Sequence, residues 1–290
     1  METTVVIPTK DRPKLVRRAV ASALASSLSP QQFRVVVVDD GSHTPAIEVL
    51  AEYPECRVKV ISNDGVPGPA GARNAGVRAA ESETVFFLDD DDQLMPDYMN
   101  SVLLARKGAA ECAEYGFSSL IIGSRIAGTH GSTGLRTHQS KLADRLGGLG
   151  AGFWITRRAF QDVGGIDERL KVNEDLEFCI RLAAHGFNCW FSADPGVSIG
   201  FEAVRMINEM PSITRSSRAH ERVAAFEWIL ERHAQFLSLH PQERTQIVRR
   251  LVKYRARSGG FLDALAFGRS QGVPLRRILL DAISGAMSKG

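Results

Sequence analysis

Thr84–Asp92 reads TVFFLDDDD and decides the fold of this chain. Its apolar run is typical of a short strand that is buried on both faces, as the strands of parallel sheets are. The four carboxylates at its end repel one another, so their close packing in an ordered chain needs a neutralising charge. Mg²⁺ or Mn²⁺ can supply that charge, because hard divalent cations prefer carboxylate oxygens. On this stretch alone, the alternative of a solvated acidic turn before the next helix stays open.

Strands and helices alternate on the amino-terminal side of this stretch. Apolar runs predict strands, and apolar residues at helical spacing predict helices. The predicted strands are 3–8, 33–38 and 58–61, and the predicted helices are 15–27, 46–51 and 72–80. We expect Asp11 to cap the first of these helices, with Pro13 near its first turn. The alternation predicts a parallel sheet with crossover helices, which binds ligands at the carboxyl ends of its strands.

The remainder of the chain continues the alternation and then becomes helical. The predicted elements are helices over 98–107, 157–163 and 173–185 and strands over 117–122, 153–155 and 188–191. Residues 123–150 hold seven glycines without strong periodicity, which predicts a long functional loop. From about residue 218 the pattern is helical, with breaks at Pro241, 258–260 and 272–274. We therefore expect an α/β domain over 1–205 and a helical C-terminal region over 206–290.

Composition places the chain among ordinary globular proteins. Of its 290 residues, 44% are hydrophobic and 24% are charged. No apolar run approaches the roughly 20 residues that span a bilayer, and the N-terminus lacks the pattern of a signal peptide, so we expect a cytoplasmic protein. The four cysteines show no CxxC spacing, which predicts free thiols.

The net charge of +3 is unevenly distributed, with +7 over residues 241–290 and −4 over the rest of the chain. We therefore expect the basic tail either to meet a surface partner or to present solvated helix faces.

Acidic residues end several predicted strands or begin the next helix, and they fall at Asp39–Asp40, Asp89–Asp92 and Glu174–Asp175. Such a set suits group transfer from a nucleotide-activated donor. A metal held by the central acids would bridge two phosphates and stabilise charge on the departing diphosphate. An acid at the second strand end could accept a hydrogen bond from a base, and Arg73 could add a cation to the phosphates. A further carboxylate would act as the general base.

Four sequence motifs together resemble those of the family 2 glycosyltransferases of GT-A fold. They match in order and spacing over roughly residues 3–100, and they read VVIPT at 5–9, VVVDDGS at 36–42, GARNAG at 71–76 and FLDDDD at 87–92. A looser match continues through GGID at 164–167 and EDL at 174–176 to about residue 195. The resemblance implies a GT-A-type, Rossmann-like, mostly parallel open sheet flanked by helices, followed by a C-terminal helical extension.

The resemblance also implies an inverting transfer from a nucleotide-diphosphate sugar, with a UDP-sugar as the first expectation. The acceptor would be a hydroxyl of a glycan, glycolipid or metabolite, as in polysaccharide biosynthesis, and Mg²⁺ or Mn²⁺ would be the cofactor. The residues that it assigns to the nucleotide are Pro8, Thr9, Asp39, Asp40, Arg73, Asp89 and Asp90. Asp91 would be the principal metal ligand, with Asp89 and Asp92 as further candidates. Asp175 stands where the family places its general base.

Two other functions remain open on the sequence. A nucleotidyltransferase also holds metal with acids on an open sheet, but it usually carries a glycine-rich basic loop after the first strand, which residues 7–11 do not resemble. A non-catalytic relative would bind a sugar nucleotide or tether partner enzymes, and the presence of Asp91 and Asp175 argues against it.

The expected partners are the nucleotide-sugar donor and a glycan or lipid-linked acceptor, and no nucleic acid is expected. Apolar stripes edged by cations recur at 247–257 and 274–287. They suit peripheral contact with the inner face of the cell membrane. Alternatively, they bury against the catalytic domain or against a second subunit of a homo-oligomer.

Overall fold

The computed structural model describes residues 1–200 and 219–287. Within these ranges, ten strands form one sheet. The strands are β1 (Thr3–Thr9), β2 (Phe33–Asp39), β3 (Val58–Ser62), β4 (Thr84–Phe87), β5 (Asp92–Leu94), β6 (Tyr115–Ile122), β7 (Arg125–Ala127), β8 (Gly134–Arg136), β9 (Trp154–Thr156) and β10 (Cys189–Ile199).

The helices separate and follow these strands. They are α1 (Pro13–Leu24), α2 (Ala46–Val49), α3 (Pro69–Ala79), α4 (Tyr98–Arg106), α5 (Arg157–Asp162), α6 (Glu174–Ala184), α7 (Ala219–Arg232), α8 (Ala234–Ser238), α9 (Pro241–Arg257), α10 (Phe261–Ser270) and α11 (Leu275–Met287). A short 3₁₀ helix spans Leu142–Arg145. The predicted helix breaks are confirmed, because α9 begins at Pro241 and α10 and α11 are separated at residues 271–274.

The sheet has the strand order β3-β2-β1-β4-β9-β6-β10-β5, with β7 on β6 and β8 on β10. The strands β3, β2, β1 and β4 pair in parallel, as the alternation predicts. Beyond β4, β9 runs antiparallel to both of its neighbours, and β6 and β10 are parallel again. The α/β class is confirmed, and the sheet as a whole is mixed.

The crossover helix α3 packs on this sheet at very short range. Its residues from Ala70 to Val77 are all buried. Gly76 makes the approach possible, since a Cβ at this position would overlap a methyl group of Val6 on β1. The glycine of the GARNAG motif is therefore a packing requirement, and it fixes the helix whose first turns face the strand ends.

The expectation that Asp11 caps α1 is wrong. Asp11 has φ +54° and turns its carboxylate towards the loop after β2, where its Oδ1 accepts a hydrogen bond from the backbone N–H of His43 at 2.6 Å. The residue before the helix is Arg12, which provides no side-chain cap, and Pro13 opens the first turn. Proline needs no cap for its own nitrogen, because it carries no N–H.

The predicted long loop over 123–150 is in part wrong, because it contains β7, β8 and the 3₁₀ helix. Gly123 has φ +62° and lies in the two-residue turn between β6 and β7. The two strands form a hairpin, although the composition of this segment predicts a loop. The last strand is also longer than predicted. Pro195 and Gly196 shift the register of β10 but do not end it, and it continues to Ile199. Finally, β5 begins at Asp92, the last of the four acids, and sequence periodicity does not reveal a strand of three residues.

The described residues divide into two compact units. The first holds 1–168 and 181–200 and contains the sheet, and the second holds 169–180 and 219–287. The predicted boundary at 205–206 lies outside the described residues. In the second unit, α9 packs against α7, α10 and α11. The core residues of the second unit are Val248, Val252, Ala256, Ala264, Val273, Ile278 and Ala282.

Among the described helices, none is both long enough and apolar enough to cross a membrane.

Candidate active site

Three parallel strand ends form the candidate site. β1 lies between β2 and β4, and Thr9 at its end is in register with Asp39 at the end of β2. The hydroxyl of Thr9 donates to the Oδ2 of Asp90 at 2.7 Å, which joins the end of β1 to the loop after β4. The predicted meeting of the acidic strand ends at one edge of the sheet is therefore observed within the first unit.

The four consecutive aspartates divide into two groups. Asp89, Asp91 and Asp92 each place one carboxylate oxygen so that the three atoms lie within 4.8 Å of one another. We call these three residues the acidic cluster. Asp90 points away from it, towards Thr9 and Arg12. Three convergent carboxylates are the donor set that suits a hard divalent cation, so the acidic cluster fits Mg²⁺ or Mn²⁺.

Burial and mutual repulsion raise the pKa values in this loop. Burial raises the pKa of Asp92, and the charges of Asp89 and Asp91 raise it further. Burial and the charge of Asp89 also raise the pKa of Asp91. For Asp90, burial raises the pKa to about 6, although Arg12 and Thr9 oppose the shift. The raised pKa values mean that ionising these carboxylates together is unfavourable. A cation bound among them would stabilise their ionised forms.

Arg12 is a member of the site that sequence reasoning missed. Its Nη1 lies 2.8 Å from the Oδ1 of Asp90 and 3.4 Å from the Oδ2 of Asp91. Arg18 on α1 also supports this loop by donating a hydrogen bond to the backbone carbonyl of Asp91. The sequence holds one signal for Arg12. It is a basic residue in the loop after β1, and four acidic residues follow the apolar run of β4.

Arg73 lies where the sequence places it. It is buried on α3, and its Nη2 lies 2.5 Å from the Oδ1 of Asp89. A guanidinium fixed at the rim of the acidic cluster can hold a carboxylate and an incoming phosphate oxygen on different N–H groups.

Asp39 and Asp40 hold the loops beside the site. Asp39 accepts hydrogen bonds from the backbone N–H groups of Ser42 at 2.8 Å and Ala46 at 2.7 Å. Burial works against the ionised form, but these hydrogen bonds outweigh it and lower the pKa of Asp39. Asp40 accepts from the backbone N–H of Gly68 at 2.9 Å, and this contact holds the loop before α3. Pro8 lies inside β1, half-buried, and contributes backbone to the same edge.

Two further contacts, both unpredicted, close the site. Asn74 exchanges hydrogen bonds of 2.9 Å with the backbone of Ile166, so the GARNAG and GGID motifs are physically joined. Gly150, at the end of the glycine-rich segment, lies against the acidic cluster. A Cβ on Gly150 would be 2.7 Å from the Oδ2 of Asp89 and 3.7 Å from the Oδ2 of Asp92.

Asp175 belongs to the second unit, in the first turn of α6 together with Glu174 and Glu177. Its Oδ1 accepts a hydrogen bond from the backbone N–H of Leu176 at 2.7 Å. Acidic residues are stabilised at this end of a helix by the dipole. The same turn is anchored by Glu177, which is fully buried and lies 2.9 Å from the Nε2 of His233.

Comparisons with known proteins agree with this geometry. The family model "Glycosyl transferase family 2" matches residues 4–112, and the family model "Glycosyl transferase family group 2" matches residues 84–218. These ranges contain the three strand ends, the acidic cluster and Asp175. The chain belongs to the family 2 glycosyltransferases.

Individual relatives match over part of their length. A glycosyltransferase of Haemophilus influenzae is 29% identical over 185 residues, which cover 59% of this chain and 60% of the relative. The pre-mycofactocin glycosyltransferase of Mycobacterium tuberculosis is 30% identical over 194 residues, which cover 64% of this chain and 40% of the relative. The chain thus matches about half of the length of these two relatives.

A solved structure shares the fold. The structure of S. aureus TarS in complex with UDP-GlcNAc superposes with a TM-score of 0.63 at 16% identity, covering 100% of this chain and 93% of that one. This likeness confirms the predicted GT-A-type architecture with C-terminal helices.

Proposed function

We propose that this protein transfers a sugar from a nucleotide-diphosphate sugar to an acceptor hydroxyl, with inversion at the sugar carbon. The observation that carries the proposal is the acidic cluster at the carboxyl edge of the parallel strands, with Arg73 fixed beside it. Membership of the family 2 glycosyltransferases supports the reaction type. It also argues against the nucleotidyltransferase alternative.

The acidic cluster would hold Mg²⁺ or Mn²⁺, with Asp91 as principal ligand and Asp89 and Asp92 as further ligands. When bound, the ion would supply Lewis-acid stabilisation of the charge on the departing diphosphate. Arg12 already balances part of the charge on Asp90 and Asp91, so the loop keeps its place before the ion arrives. The resemblance assigns Asp90 to the nucleotide, but Asp90 is buried against Thr9 and Arg12, and in this proposal it fixes the loop that carries the ligands.

The nucleotide would lie across the ends of β1 and β2. Thr9 and Asp39 flank that edge, and Pro8 contributes its backbone. Asp40 would act beside the base by holding the loop at Gly68, and Asp89 would face the ribose. Arg73 would add positive charge to the phosphates. The UDP-GlcNAc bound to TarS supports a UDP-sugar as the first donor to test.

Asp175 would be the general base. In an inverting transfer, the acceptor oxygen forms its bond to the sugar carbon as the bond from that carbon to the diphosphate oxygen breaks. The carboxylate of Asp175 takes the proton that the acceptor hydroxyl loses. The position at the amino end of α6 favours the ionised form that this role needs.

We propose a glycan or lipid-linked molecule as the acceptor and the cytoplasm as the compartment. All four cysteines are free, including the exposed Cys56 and Cys112, and exposed free thiols suit a reducing environment. Homo-oligomer formation and contact with the inner face of the membrane remain proposals for the C-terminal helices.

Thermal unfolding with UDP-, GDP- and dTDP-sugars, each with and without Mn²⁺, tests the proposed donor and metal. We expect one class of donor to raise the Tm only when Mn²⁺ is present, and the same donor to release its nucleotide when acceptor is added. Asp91→Ala should abolish both effects, whereas Asp97→Ala, an exposed aspartate in the same segment, should preserve them. Donor binding without any turnover would favour the non-catalytic alternative, and metal-independent turnover would remove the assigned role of the acidic cluster.

A further inference from the structure

Helix α11 carries two different apolar faces. Ile278, Ala282 and Gly285 are buried and pack into the core of the second unit. A second set of large apolar side chains on the same helix is exposed, and it comprises Leu275 at 53%, Leu279 at 36%, Leu280 at 59%, Ile283 at 46% and Met287 at 82%. At 100° per residue these five form one continuous arc of about 140°. We call this arc the outer face of α11.

The outer face is larger than folding requires. Single exposed leucines are common on protein surfaces, but a contiguous apolar patch marks a site of interaction. The buried face of α11 already satisfies its packing against α9. The outer face is therefore a candidate surface for binding a partner.

The charges around the outer face identify the chemistry of that partner. Arg276 and Arg277 are exposed, and Arg276 falls inside the apolar arc itself, whereas Arg277 lies about 60° beyond its edge. Asp281 is the only carboxylate on α11, and Arg249 of α9 binds both of its oxygens, at 2.7 and 3.0 Å. The outer face is consequently apolar and cationic, without an acidic side chain of its own.

We propose that the outer face of α11 binds the surface of an anionic lipid bilayer. Leucine, isoleucine and methionine would enter the boundary between headgroups and acyl chains, while the two arginines meet lipid phosphates. A 13-residue helix is too short to cross the hydrocarbon core, so α11 would lie parallel to the surface. A second copy of the chain fits less well, because a two-fold contact through this arc would bury Arg276 of each copy, and the arc offers no carboxylate to neutralise it. The inference does not depend on the proposed reaction.

Vesicle co-sedimentation of the full chain tests the proposal. The vesicles are phosphatidylcholine alone, or phosphatidylcholine with phosphatidylglycerol, at low and at physiological salt. The test variants are Leu279→Glu with Ile283→Glu and, separately, Arg276→Glu with Arg277→Glu. The matched control is Leu239→Glu, a leucine outside α11 that is 74% exposed. All of these positions are exposed or partly exposed, so circular dichroism should show an unchanged fold.

We expect the full chain to bind the anionic vesicles and to release them as salt rises. Both double variants should weaken this binding by about tenfold or more, and the control should bind like the unmodified chain. Sedimentation velocity without lipid should show that the variants do not alter the oligomeric state. The proposal fails if the full chain ignores anionic vesicles at low salt, or if the apolar double variant binds as well as the unmodified chain. It also fails if the variants instead dissociate an oligomer, which would make a second copy the occupant.

Discussion

Asp92 is buried against two other carboxylates, and this position predicts how stability depends on pH. Because its pKa is raised in the folded protein, the native state keeps a proton that the unfolded chain releases near pH 4. The free energy of unfolding of the metal-free protein should therefore lose a contribution from Asp92 as the pH rises above about 4.

Asp92→Asn cannot titrate, so it should gain stability relative to the unmodified protein over that interval. The gain between pH 4 and pH 7 should exceed about 1.4 kcal/mol, which corresponds to one unit of pKa. Urea unfolding at a series of pH values, with a chelator present, measures it. A stability difference between Asp92→Asn and the unmodified protein that stays constant across the pH series would disprove the assigned titration.

Gly150 predicts a second effect at the acidic cluster. A methyl group there would lie 2.7 Å from the Oδ2 of Asp89, so the carboxylate has to move although Arg73 holds it. Gly150→Ala should therefore weaken Mn²⁺-dependent donor binding by about ten- to a hundredfold, the range found when the surroundings that orient a metal ligand are disturbed. Calorimetric titration measures the change. Gly108→Ala meets nothing within 4 Å and serves as the control, and equal affinities for the two variants would show that the loop accommodates the methyl group.

Asp175 predicts a separation of rate from binding. Asp175→Asn keeps the shape of the side chain but does not accept the proton, so turnover should fall by about 10²- to 10⁴-fold. The affinity for the donor should stay unchanged, because the base acts on the acceptor. Steady-state kinetics with the preferred donor checks both quantities. Undiminished turnover would move the role to another group, and Glu174→Gln is the next variant to compare.

At the residue scale, the site was predictable where like residues recur at strand ends. The acidic cluster, Arg73 and Thr9 follow from the pattern of parallel strands. The roles of Arg12 and Gly150 do not follow from this pattern. Both residues lie in loops that are distant in sequence from the aspartates they contact, and local periodicity does not reveal such long-range contacts. Local propensity predicts that Asp11 caps α1, but the hydrogen bond that its carboxylate accepts from the backbone N–H of His43 overrides this propensity.

Helix α6 predicts an effect at the scale of an element. Glu177 is fully buried in its first turn, and one carboxylate oxygen lies 2.9 Å from the Nε2 of His233 and 3.3 Å from the Nε of Arg232. Glu177→Gln removes the negative charge and leaves the buried His233 and the partly exposed Arg232 facing a neutral amide. The free energy of unfolding should fall by about 1–3 kcal/mol, the range for hydrogen bonds to a charged group and for the buried polar partner that is left.

Urea unfolding measures this loss, and Glu231→Gln is the matched control, since Glu231 is exposed on the neighbouring turn of α7. The control should change stability by no more than about 0.5 kcal/mol. A loss at Glu177 no larger than that of the control would show that the buried pair contributes nothing net.

The elements that sequence reasoning missed share a physical cause. β5, β7 and β8 each have three residues, and their pairing partners rather than their own composition make them strands. β10 passes through Pro195 and Gly196 because it can shift its register against β6 there. Long apolar runs such as β1, β2 and β4 were predictable, since burial on both faces leaves a continuous apolar sequence.

The division into units predicts how the whole molecule responds to truncation. Residues 169–180 belong with the C-terminal helices, where Leu170 and Val172 pack against Ala225 and Trp228. A fragment that ends at residue 205, the boundary expected from the sequence, would leave these apolar side chains and Glu177 without α7 and α8. It should unfold at a Tm lower than that of the full chain by about 5 °C or more, because a loss of 1 kcal/mol costs about 2–4 °C at this size.

Differential scanning calorimetry of the 1–205 fragment and the full chain checks this. An unchanged Tm for the α/β transition would show that residues 169–180 hold their place without the C-terminal helices. The sequence suggested one boundary because composition changes only once along the chain. It could not show that residues 169–180 pack with a helix about 50 residues further on, since pairings of that range leave no periodic signal.

The direction of the strands has a practical consequence for handling this protein. Cys56 and Cys112 are exposed, and each precedes a strand of the same direction as β1, namely β3 and β6. Both thiols thus lie at the amino end of the sheet, whereas the acidic cluster lies at the carboxyl end. Cys179 and Cys189 are buried and shielded from reagents. A maleimide dye or biotin would attach to the protein at the edge opposite the acids, so that the molecule could be immobilised on a sensor with its ligand-binding edge open to solution.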